Sequence, residues 1–174
     1  IVEDGLVLAL DAANVKSYQS GSTVWSDLTS EATGLLINGP SHSSANGGVL
    51  ELDGTNDYIK ITSTPTLSNY SVFIWVNVLS ITGEDQIFYN KTDSVTLTTY
   101  QDSYMAYTGI VNKGSAIQTN LWKCVHVVGS GSTVSLYLNN TLDNSWSTNR
   151  TLQGGLTYIG TNSGSTRMAN IQIG

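Results

Sequence analysis

Short apolar runs separated by turn residues are the feature that most constrains how this 174-residue chain folds. No window of about eleven residues carries apolar side chains at the i, i+3, i+4, i+7 spacing of an amphipathic helix. The runs are rich in β-branched and aromatic residues, which favours strands. The predicted strands are Leu6–Leu10, Val49–Leu52, Tyr58–Ile61, Val72–Val76, Ile87–Tyr89, Val95–Thr98, Tyr104–Tyr107, Trp122–Val128, Val134–Leu138, Leu156–Ile159 and Met168–Ile173.

Turn residues between these runs indicate antiparallel pairing. The clearest predicted hairpin runs from Val127 to Leu138 through the turn Gly129–Ser132. Alternate residues of its second strand are apolar, so one face of the sheet is predicted to be buried and the other solvated. About eleven strands with tight turns predict an all-β fold, either a sandwich or a barrel.

Charge and cysteine content exclude several classes of function. The formal net charge is −6 and Lys and Arg form no cluster, so nucleic-acid binding is not expected. The longest apolar runs, Leu6–Leu10 and Val72–Val76, are far shorter than the ~18 residues of a membrane span. Cys124 is the single cysteine, so no intramolecular disulfide can form, which fits a reducing cytoplasm or a bacterial source.

The length of the chain predicts one domain over residues 1–174. The sequence starts at Ile1 without a methionine or a signal peptide, and an alternating pattern is still running at Gly174. We therefore expect a segment of a longer polypeptide.

Four segments carry a family likeness: Gly5–Asn14, Val24–Leu28, Leu36–Pro40 and Leu50–Ile59. Together with the order of the later strands, they resemble the laminin-G-like branch of the concanavalin A-like lectin/glucanase superfamily, of the type found in bacteriophage structural proteins and bacterial surface proteins. The stretch Asp53–Ile59 is the most specific part. The resemblance implies a jelly-roll sandwich of two antiparallel sheets. Because that fold carries lectins, hydrolases and structural modules, it implies no single function.

Glu51 and Asp53 form the one pattern that suggests hydrolysis. Two residues apart on a strand, they share a face at roughly 6–7 Å along the chain, a spacing near that of paired glycosidase carboxylates. The laminarinase-like hydrolases of the superfamily carry Glu-x-Asp-x-(x)-Glu, whereas Thr55 or Asn56 stands at the third carboxylate here. We therefore expect no enzymatic activity, and we expect Asp53, Asn56 and Asp57 to bond turn amides.

Cys124 and His126 share one face of a predicted strand. A nucleophile–base pair would also need an orienting group and an oxyanion hole, for which the sequence gives no signal. Core packing is the role expected for this pair.

Calcium is the metal that the resemblance suggests, because laminin-G-like and lectin-like members bind it through Asp and Asn side chains and backbone carbonyls. The oxygen donors that fit are Asp53, Asn56 and Asp57, with Glu84 and Asp85 as a second choice. Capping of a turn by the same residues is the alternative.

The tryptophans divide by their surroundings. Trp75 and Trp122 stand in apolar runs and are expected in the core. Trp146 is surrounded by small polar residues, among them Asn144, which is typical of a loop.

A second aromatic and polar stretch contains three tyrosines close to Gln101 and Asp102. Sugars stack on exposed rings and hydrogen-bond to amides. The predicted glycan or partner surface therefore comprises Trp146, Asn144, Tyr100, Tyr104 and Tyr107. Edge strands covered by neighbouring chains of an assembly are an equally compatible interpretation.

Three functions follow from the sequence. The leading hypothesis is a non-enzymatic virion structural or adhesion module of a bacteriophage, such as a capsid decoration, tail or fibre component. Such a module would be located in the virion, contact other virion subunits, form homo-oligomers and bind host glycans. The second is a carbohydrate-binding module of a bacterial secreted or surface protein, located outside the cell or at its surface. The third is a glucanase-like hydrolase.

Overall fold

The structure, a computed structural model, describes residues 4–90, 95–100, 103–107, 111–147, 151–162 and 167–174. Within these residues the chain forms fifteen strands and one short 3-10 turn at Ala45–Gly47. The strands are β1 (Val24–Ser26), β2 (Thr33–Ile37), β3 (Ser41–Ser43), β4 (Val49–Asp53), β5 (Tyr58–Thr64), β6 (Tyr70–Ser80), β7 (Glu84–Asn90), β8 (Thr96–Tyr100), β9 (Ser103–Tyr107), β10 (Val111–Ala116), β11 (Trp122–Ser130), β12 (Thr133–Leu138), β13 (Thr141–Trp146), β14 (Gly155–Ile159) and β15 (Asn170–Ile173). No helix of the described residues is long and apolar enough to cross a membrane.

The strands form two antiparallel sheets. The eight-stranded sheet has the order β1-β2-β5-β14-β7-β8-β9-β10, and the seven-stranded sheet has the order β13-β12-β11-β6-β15-β4-β3. The predicted hairpin is present, because β11 and β12 pair with Val127 opposite Leu136 and Ser130 opposite Thr133. The all-β class and the jelly-roll sandwich predicted from the sequence are confirmed.

The core lies between the two sheets, and on strands such as β5 and β6 its residues follow the period-two alternation of the strand. On β6, Ile74, Val76 and Val78 are buried and belong to the core. On β5, Ile59 and Ile61 meet them from the other sheet. On these two strands one face packs in the core and the other face lies on the outside of the sandwich.

Strands β10 and β13, at the edges of the two sheets, meet along one side of the sandwich. Asp143 on β13 accepts hydrogen bonds from the amide and the hydroxyl of Ser115. Asn144 Nδ2 donates to the Lys113 carbonyl at 3.1 Å. Through these hydrogen bonds the edge strands β10 and β13 contact each other across the two sheets.

The prediction of a strand at Leu6–Leu10 is wrong. The Ala9 amide donates to Asp27 Oδ1 at 2.8 Å, and the Ala9 carbonyl accepts from the Leu28 amide at 2.9 Å, so Ala9 bonds a side chain and a turn in place of a neighbouring strand. Leu8 and Leu10 still pack against the core. The alternation of Leu6–Leu10 therefore reflects partial burial of the segment, which does not pair with a neighbouring strand.

Candidate functional site

Aromatic side chains gather on the outer face of the seven-stranded sheet. We call this cluster the aromatic face, and it comprises Phe73 and Trp75 on β6, Trp122 and His126 on β11, and Tyr137 on β12. His126 lies opposite Phe73 on one neighbouring strand and opposite Tyr137 on the other. Residues more than sixty positions apart in sequence therefore form one surface.

Trp75 and Trp122 stack on each other at the end of the aromatic face that adjoins Asn77. Their ring centroids are 5.9 Å apart and their planes differ by 10°. Trp75 is 40% exposed and Phe73 is 61% exposed. The expectation that both tryptophans fill the core is wrong for a simple reason: Trp75 alternates with Val76, and only one of two successive strand residues can face the core.

His126 lies beside the tryptophans, between two other rings. Its centroid is 6.1 Å from that of Phe73 and 5.5 Å from that of Tyr137, and Ser71 Oγ is hydrogen-bonded to Nε2 at 2.6 Å. Burial lowers the pKa of His126. The core packing expected for His126 is wrong, because the ring is only half-buried and lies on the outer face.

Cys124 is buried, but it faces away from the core. It lies opposite Trp75 in the ladder and alternates with the core residue Val125. Burial raises the pKa of its thiol, which disfavours the reactive thiolate. The Cys124 thiol donates to Asn140 Oδ1 at 4.0 Å and His126 Nε2 is bonded to Ser71, so each of the two side chains has a partner other than the other.

A row of polar side chains continues the aromatic face toward β4. Trp122 lies opposite Asn77, and Asn77 lies opposite Gln172. Asn77 Nδ2 donates to Gln172 Oε1 at 3.0 Å, and Gln172 Nε2 donates to Glu51 Oε1 at 2.6 Å. Asn77 Oδ1 is buried and has no hydrogen-bond partner among the described residues. We call Asn77, Gln172 and Glu51 the amide row.

Glu51 orients every amide in this row. A carboxylate only accepts hydrogen bonds, so Gln172 must turn its Nε2 toward Glu51 and its Oε1 toward Asn77. Asn77 must then present Nδ2 to Gln172, which leaves Oδ1 on the remaining side. A catalytic role for Glu51 would require breaking its hydrogen bond with Gln172.

The three residues predicted to bind calcium lie in the turn between β4 and β5. Asp53 Oδ1 accepts the amides of Thr55, Asn56 and Asp57 at 2.8, 3.2 and 3.3 Å. The Thr55 amide lowers the pKa of Asp53 most, burial opposes it, and the other two amides add to it. Burial and the charge of Asp53 raise the pKa of Asp57. This geometry is that of a capped turn.

Calcium at this turn stays a prediction. Within the described residues no group of three His, Cys, Asp or Glu side chains is placed to hold a metal ion. The second choice, Glu84 and Asp85, is engaged elsewhere: Glu84 pairs with Arg167, and Asp85 accepts the amide and the hydroxyl of Thr82.

The glycan surface predicted from the sequence is only partly assembled. Trp146 is the last residue of β13 and its ring packs against the core, so its assignment to a loop is wrong. Lys113 Nζ lies 5.1 Å from the Tyr100 ring centroid, and the Lys113 carbonyl accepts from Asn144. Lys113 therefore connects Tyr100 and Asn144.

Tyr104 and Tyr107 lie on β9, opposite Thr99 and Thr96 of β8. Their side chains, and Gln101 and Asp102 as a whole, lie outside the part of the chain that the structure describes. The sequence missed Trp75 and Trp122 as surface residues, although the alternation of Val72–Val76 already separates Phe73 and Trp75 from their neighbours.

Residues 53–173 match a laminin-G family model described as the Concanavalin A-like lectin/glucanases superfamily. No curated protein sequence matches the chain significantly.

Solved structures of known proteins share the fold. Domain 4 of AbnA, a GH43 extracellular arabinanase from Geobacillus stearothermophilus in complex with arabinotriose, is 15% identical, with a TM-score of 0.64 over 85% of each chain. The binding domain of botulinum neurotoxin serotype D is 14% identical, with a TM-score of 0.72 over 96% of this chain and 46% of that one. Trypanosoma rangeli sialidase is 11% identical, with a TM-score of 0.67 over 90% of this chain and 28% of that one. The chain thus spans less than half of the latter two, and these identities show a shared fold alone.

Proposed function

Because this chain belongs to the concanavalin A-like lectin/glucanase superfamily, we propose that it is a non-enzymatic glycan-binding module and that the aromatic face is its sugar-binding surface. The observation that carries the proposal is the nearly parallel pair of the exposed Trp75 and the half-buried Trp122. Large exposed aromatic side chains on a folded domain mark interaction sites. The arabinotriose held by the AbnA domain is a precedent for a sugar on this fold.

The chemistry of the surface fits a sugar ring. One face of a pyranose presents C–H groups that stack on an indole, while its hydroxyls reach sideways for polar partners. Here the stacking groups are Trp75 and Trp122, and the polar partners next to them are the amides of Asn77 and Gln172. An apolar surface bordered by amides therefore matches a sugar, which has C–H groups on one face and hydroxyls at its edge.

The charges of the surface favour a neutral sugar. On the outer face of β11, β6, β15 and β4, the formally charged side chains are Glu51 and Asp53, both acidic. A sialic or uronic acid would need Arg or Lys to pair its carboxylate. We therefore propose uncharged hexoses or pentoses as the ligand class.

Two contacts support a non-enzymatic role. Glu51 accepts a hydrogen bond from Gln172, and Asp53 is held by turn amides. Both carboxylates of the hydrolase-like pattern are thus engaged in holding the fold. Their use as acid and base would require breaking these contacts.

The setting that we propose is a bacteriophage virion, in which the domain contacts other subunits, forms homo-oligomers and displays the aromatic face to host glycans. The support is the sequence resemblance of Asp53–Ile59 and its companion segments to modules of phage structural proteins. Mass spectrometry of purified particles tests this setting. Consistent absence of the chain from particles of a phage that encodes it would favour a bacterial secreted or surface protein.

The sugar site is tested with an array of neutral and acidic glycans, followed by calorimetry on the best ligand. Replacing Trp75 by Ala should weaken binding by roughly 10- to 100-fold, the effect of truncating an aromatic anchor. Trp146→Ala is the control for the surface predicted from the sequence, and circular dichroism must show that this variant is folded, because the Trp146 ring packs against the core. Loss of binding in Trp146→Ala with retention in Trp75→Ala would contradict the proposal and move the site to the β13 surface.

A further inference from the structure

Asn77 lies inside the seven-stranded sheet, with a strand paired to it on each side. On one side it is opposite Trp122 of β11, and on the other it is opposite Gln172 of β15. Gln172 is in turn opposite Glu51 of β4. The strands that flank Asn77 and Gln172 are therefore complete at this level of the sheet.

The amide row has one direction because it ends on a carboxylate. Glu51 Oε1 accepts from Gln172 Nε2 at 2.6 Å, and Gln172 Oε1 accepts from Asn77 Nδ2 at 3.0 Å. Turning either amide over would place two oxygen acceptors against each other. Glu51 thus determines which end of the Asn77 amide faces away from the row.

The atom that faces away is Asn77 Oδ1, and it is unpaired. The Asn77 side chain is 7% exposed, and Oδ1 is buried with no hydrogen-bond partner among the described residues. Buried oxygens of folded proteins are nearly always hydrogen-bonded, because an unpaired one loses its bonds to water without replacement. An unpaired acceptor that the fold holds in one orientation can be completed by a ligand that donates.

Asn77 borders the stacked tryptophans. It follows Trp75 by two residues on the same face of β6, roughly 6–7 Å along the strand, and it lies opposite Trp122. A sugar that stacks on Trp75 directs its hydroxyls outward from the edge of its ring, toward the side chains around it. An indole only donates hydrogen bonds, so of Asn77 and Trp122 only Asn77 offers an oxygen acceptor there.

We propose that Asn77 Oδ1 selects the sugar by accepting a hydrogen bond from the ring that stacks on Trp75, and that Glu51 is a positioning residue that keeps this atom an acceptor. The proposal rests on the glycan-binding function proposed above. It narrows the ligand class to neutral sugars that carry a donor, either a hydroxyl or an acetamido N–H, at one defined edge of the ring. An ether, a fluorine or a deoxy carbon at that edge cannot donate, so sugars with those groups bind weakly.

Replacing Glu51 by Gln removes the fixed direction of the row while it keeps the size of the side chain. A glutamine can accept from Gln172 or donate to it, so the row can run either way. In the reversed row, Asn77 Oδ1 accepts from Gln172, and Nδ2 faces away from the row as a donor. Glu51→Gln should therefore tolerate sugars that lack the donor.

The test is an NMR titration of the 174-residue chain with the methyl glycosides of glucose, galactose and mannose and with their monodeoxy and monofluorinated derivatives. For the wild-type chain we expect one position at which loss of the hydroxyl weakens binding by about tenfold or more, without recovery when fluorine replaces it. In Asn77→Ala and in Glu51→Gln this ratio should fall below about threefold. The ratio compares two ligands on one variant, so a smaller folded fraction does not change it.

Asp53→Asn is the matched control for Glu51→Gln. Asp53 lies two residues further along β4 and carries the same charge, but its Oδ1 accepts turn amides outside the amide row. Asparagine removes the charge and keeps an oxygen for those amides. We expect Asp53→Asn to keep the wild-type ratio. A fall equal to that of Glu51→Gln would show that charge sets the selectivity, which would overturn the role of Glu51.

Other results would overturn the role of Asn77. A wild-type chain that binds every deoxy derivative as tightly as its parent has no selecting acceptor, and recovery with fluorine would identify a protein donor in its place. An unchanged ratio in Asn77→Ala would place the acceptor on another residue. Binding that needs Trp75 but shows no selectivity would contradict this proposal alone, whereas absence of binding, or binding unchanged in Trp75→Ala, would contradict the glycan proposal as well.

Discussion

The two sheets each carry aromatic rings on their outer face, but the two clusters leave different surfaces open. On the eight-stranded sheet, Tyr158 lies between Tyr58 and Tyr89, with centroids at 6.2 and 6.4 Å and planes tilted by 53° and 42°. On the seven-stranded sheet, Trp75 and Trp122 are within 10° of parallel. Tyr158 is 6% exposed, whereas Trp75 is 40% exposed.

This difference separates a cluster that stabilises from a surface that can bind. Tilted rings at about 6 Å place the edge of one ring against the face of the next, so the tyrosines pack against one another and leave little ring surface open. The Trp75 ring stacks on Trp122 and is still 40% exposed to solvent. We infer that the number of aromatic residues does not distinguish the two faces, while ring orientation and exposure do.

Truncation of one ring on each sheet gives the largest expected contrast. Tyr158→Ala should lower the free energy of unfolding by about 3 kcal/mol, because it empties a buried site. Trp75→Ala should lower it by about 1 kcal/mol, because much of the ring is already in water. Urea unfolding monitored by circular dichroism measures both, and equal losses would contradict the distinction between the two faces.

The variant with the larger effect on sugar affinity should be the one with the smaller effect on stability. Trp75→Ala should lose affinity and Tyr158→Ala should keep it at temperatures where the variant is folded. Loss of sugar affinity in the folded Tyr158→Ala variant would indicate that the two faces are coupled through the core.

Much of the fold could be predicted from the sequence because strand alternation is a local property. The runs at Val72–Val76 and Trp122–Val128 gave strands at the correct places, and the turn Gly129–Ser132 gave the correct hairpin. Strands β1, β2, β3, β10 and β13 were missed. All but β2 are edge strands, and such strands with one weakly buried face carry no apolar alternation.

The candidate site was harder to predict because its partners are distant in sequence. Trp75 and Trp122 were assigned to the core from their apolar neighbours, and only the register of β6 against β11 brings the two rings together outside it. Likewise, Gln172 joins Asn77 to Glu51 only because β15 inserts between β6 and β4. The residues around a position in the sequence indicate whether it lies in a strand. The residues that it contacts on other strands depend on the pairing register of the sheet.

The amide row gives a second, smaller effect that is specific to the seven-stranded sheet. Gln172→Ala should cost about 1–2 kcal/mol, because it leaves the buried Asn77 Nδ2 without its acceptor. Adding Asn77→Leu to this variant should restore part of the loss, since the leucine has no amide to satisfy. Chemical unfolding of the two single variants and the double variant measures the coupling.

An exposed glutamine provides the control for the amide row. Gln118→Ala should change stability by less than about 0.5 kcal/mol, the range usual for surface substitutions. If the double variant is less stable than Gln172→Ala alone, the hydrogen bond between Asn77 and Gln172 contributes less than the packing of the two side chains.

The smallest expected effect is the loss of stability at low pH that is due to His126. It should distinguish the aromatic face from the cluster of Tyr58, Tyr89 and Tyr158 on the other sheet, which has no histidine. Burial lowers the pKa of His126 in the folded state, so below about pH 6.5 the unfolded chain binds more protons than the folded chain. The contribution of neutral His126 to stability is therefore complete above that pH and is lost as the pH falls through the folded pKa. Urea unfolding at about pH 7.5 and about pH 5 should show a larger acid loss for the wild-type chain than for His126→Gln, whereas Tyr158→Phe should retain the wild-type difference. A His126→Gln variant with the wild-type acid loss would mean that the ring is as well solvated when folded as when unfolded, and that the hydrogen bond to Ser71 and the flanking Phe73 and Tyr137 rings do not hold it in place.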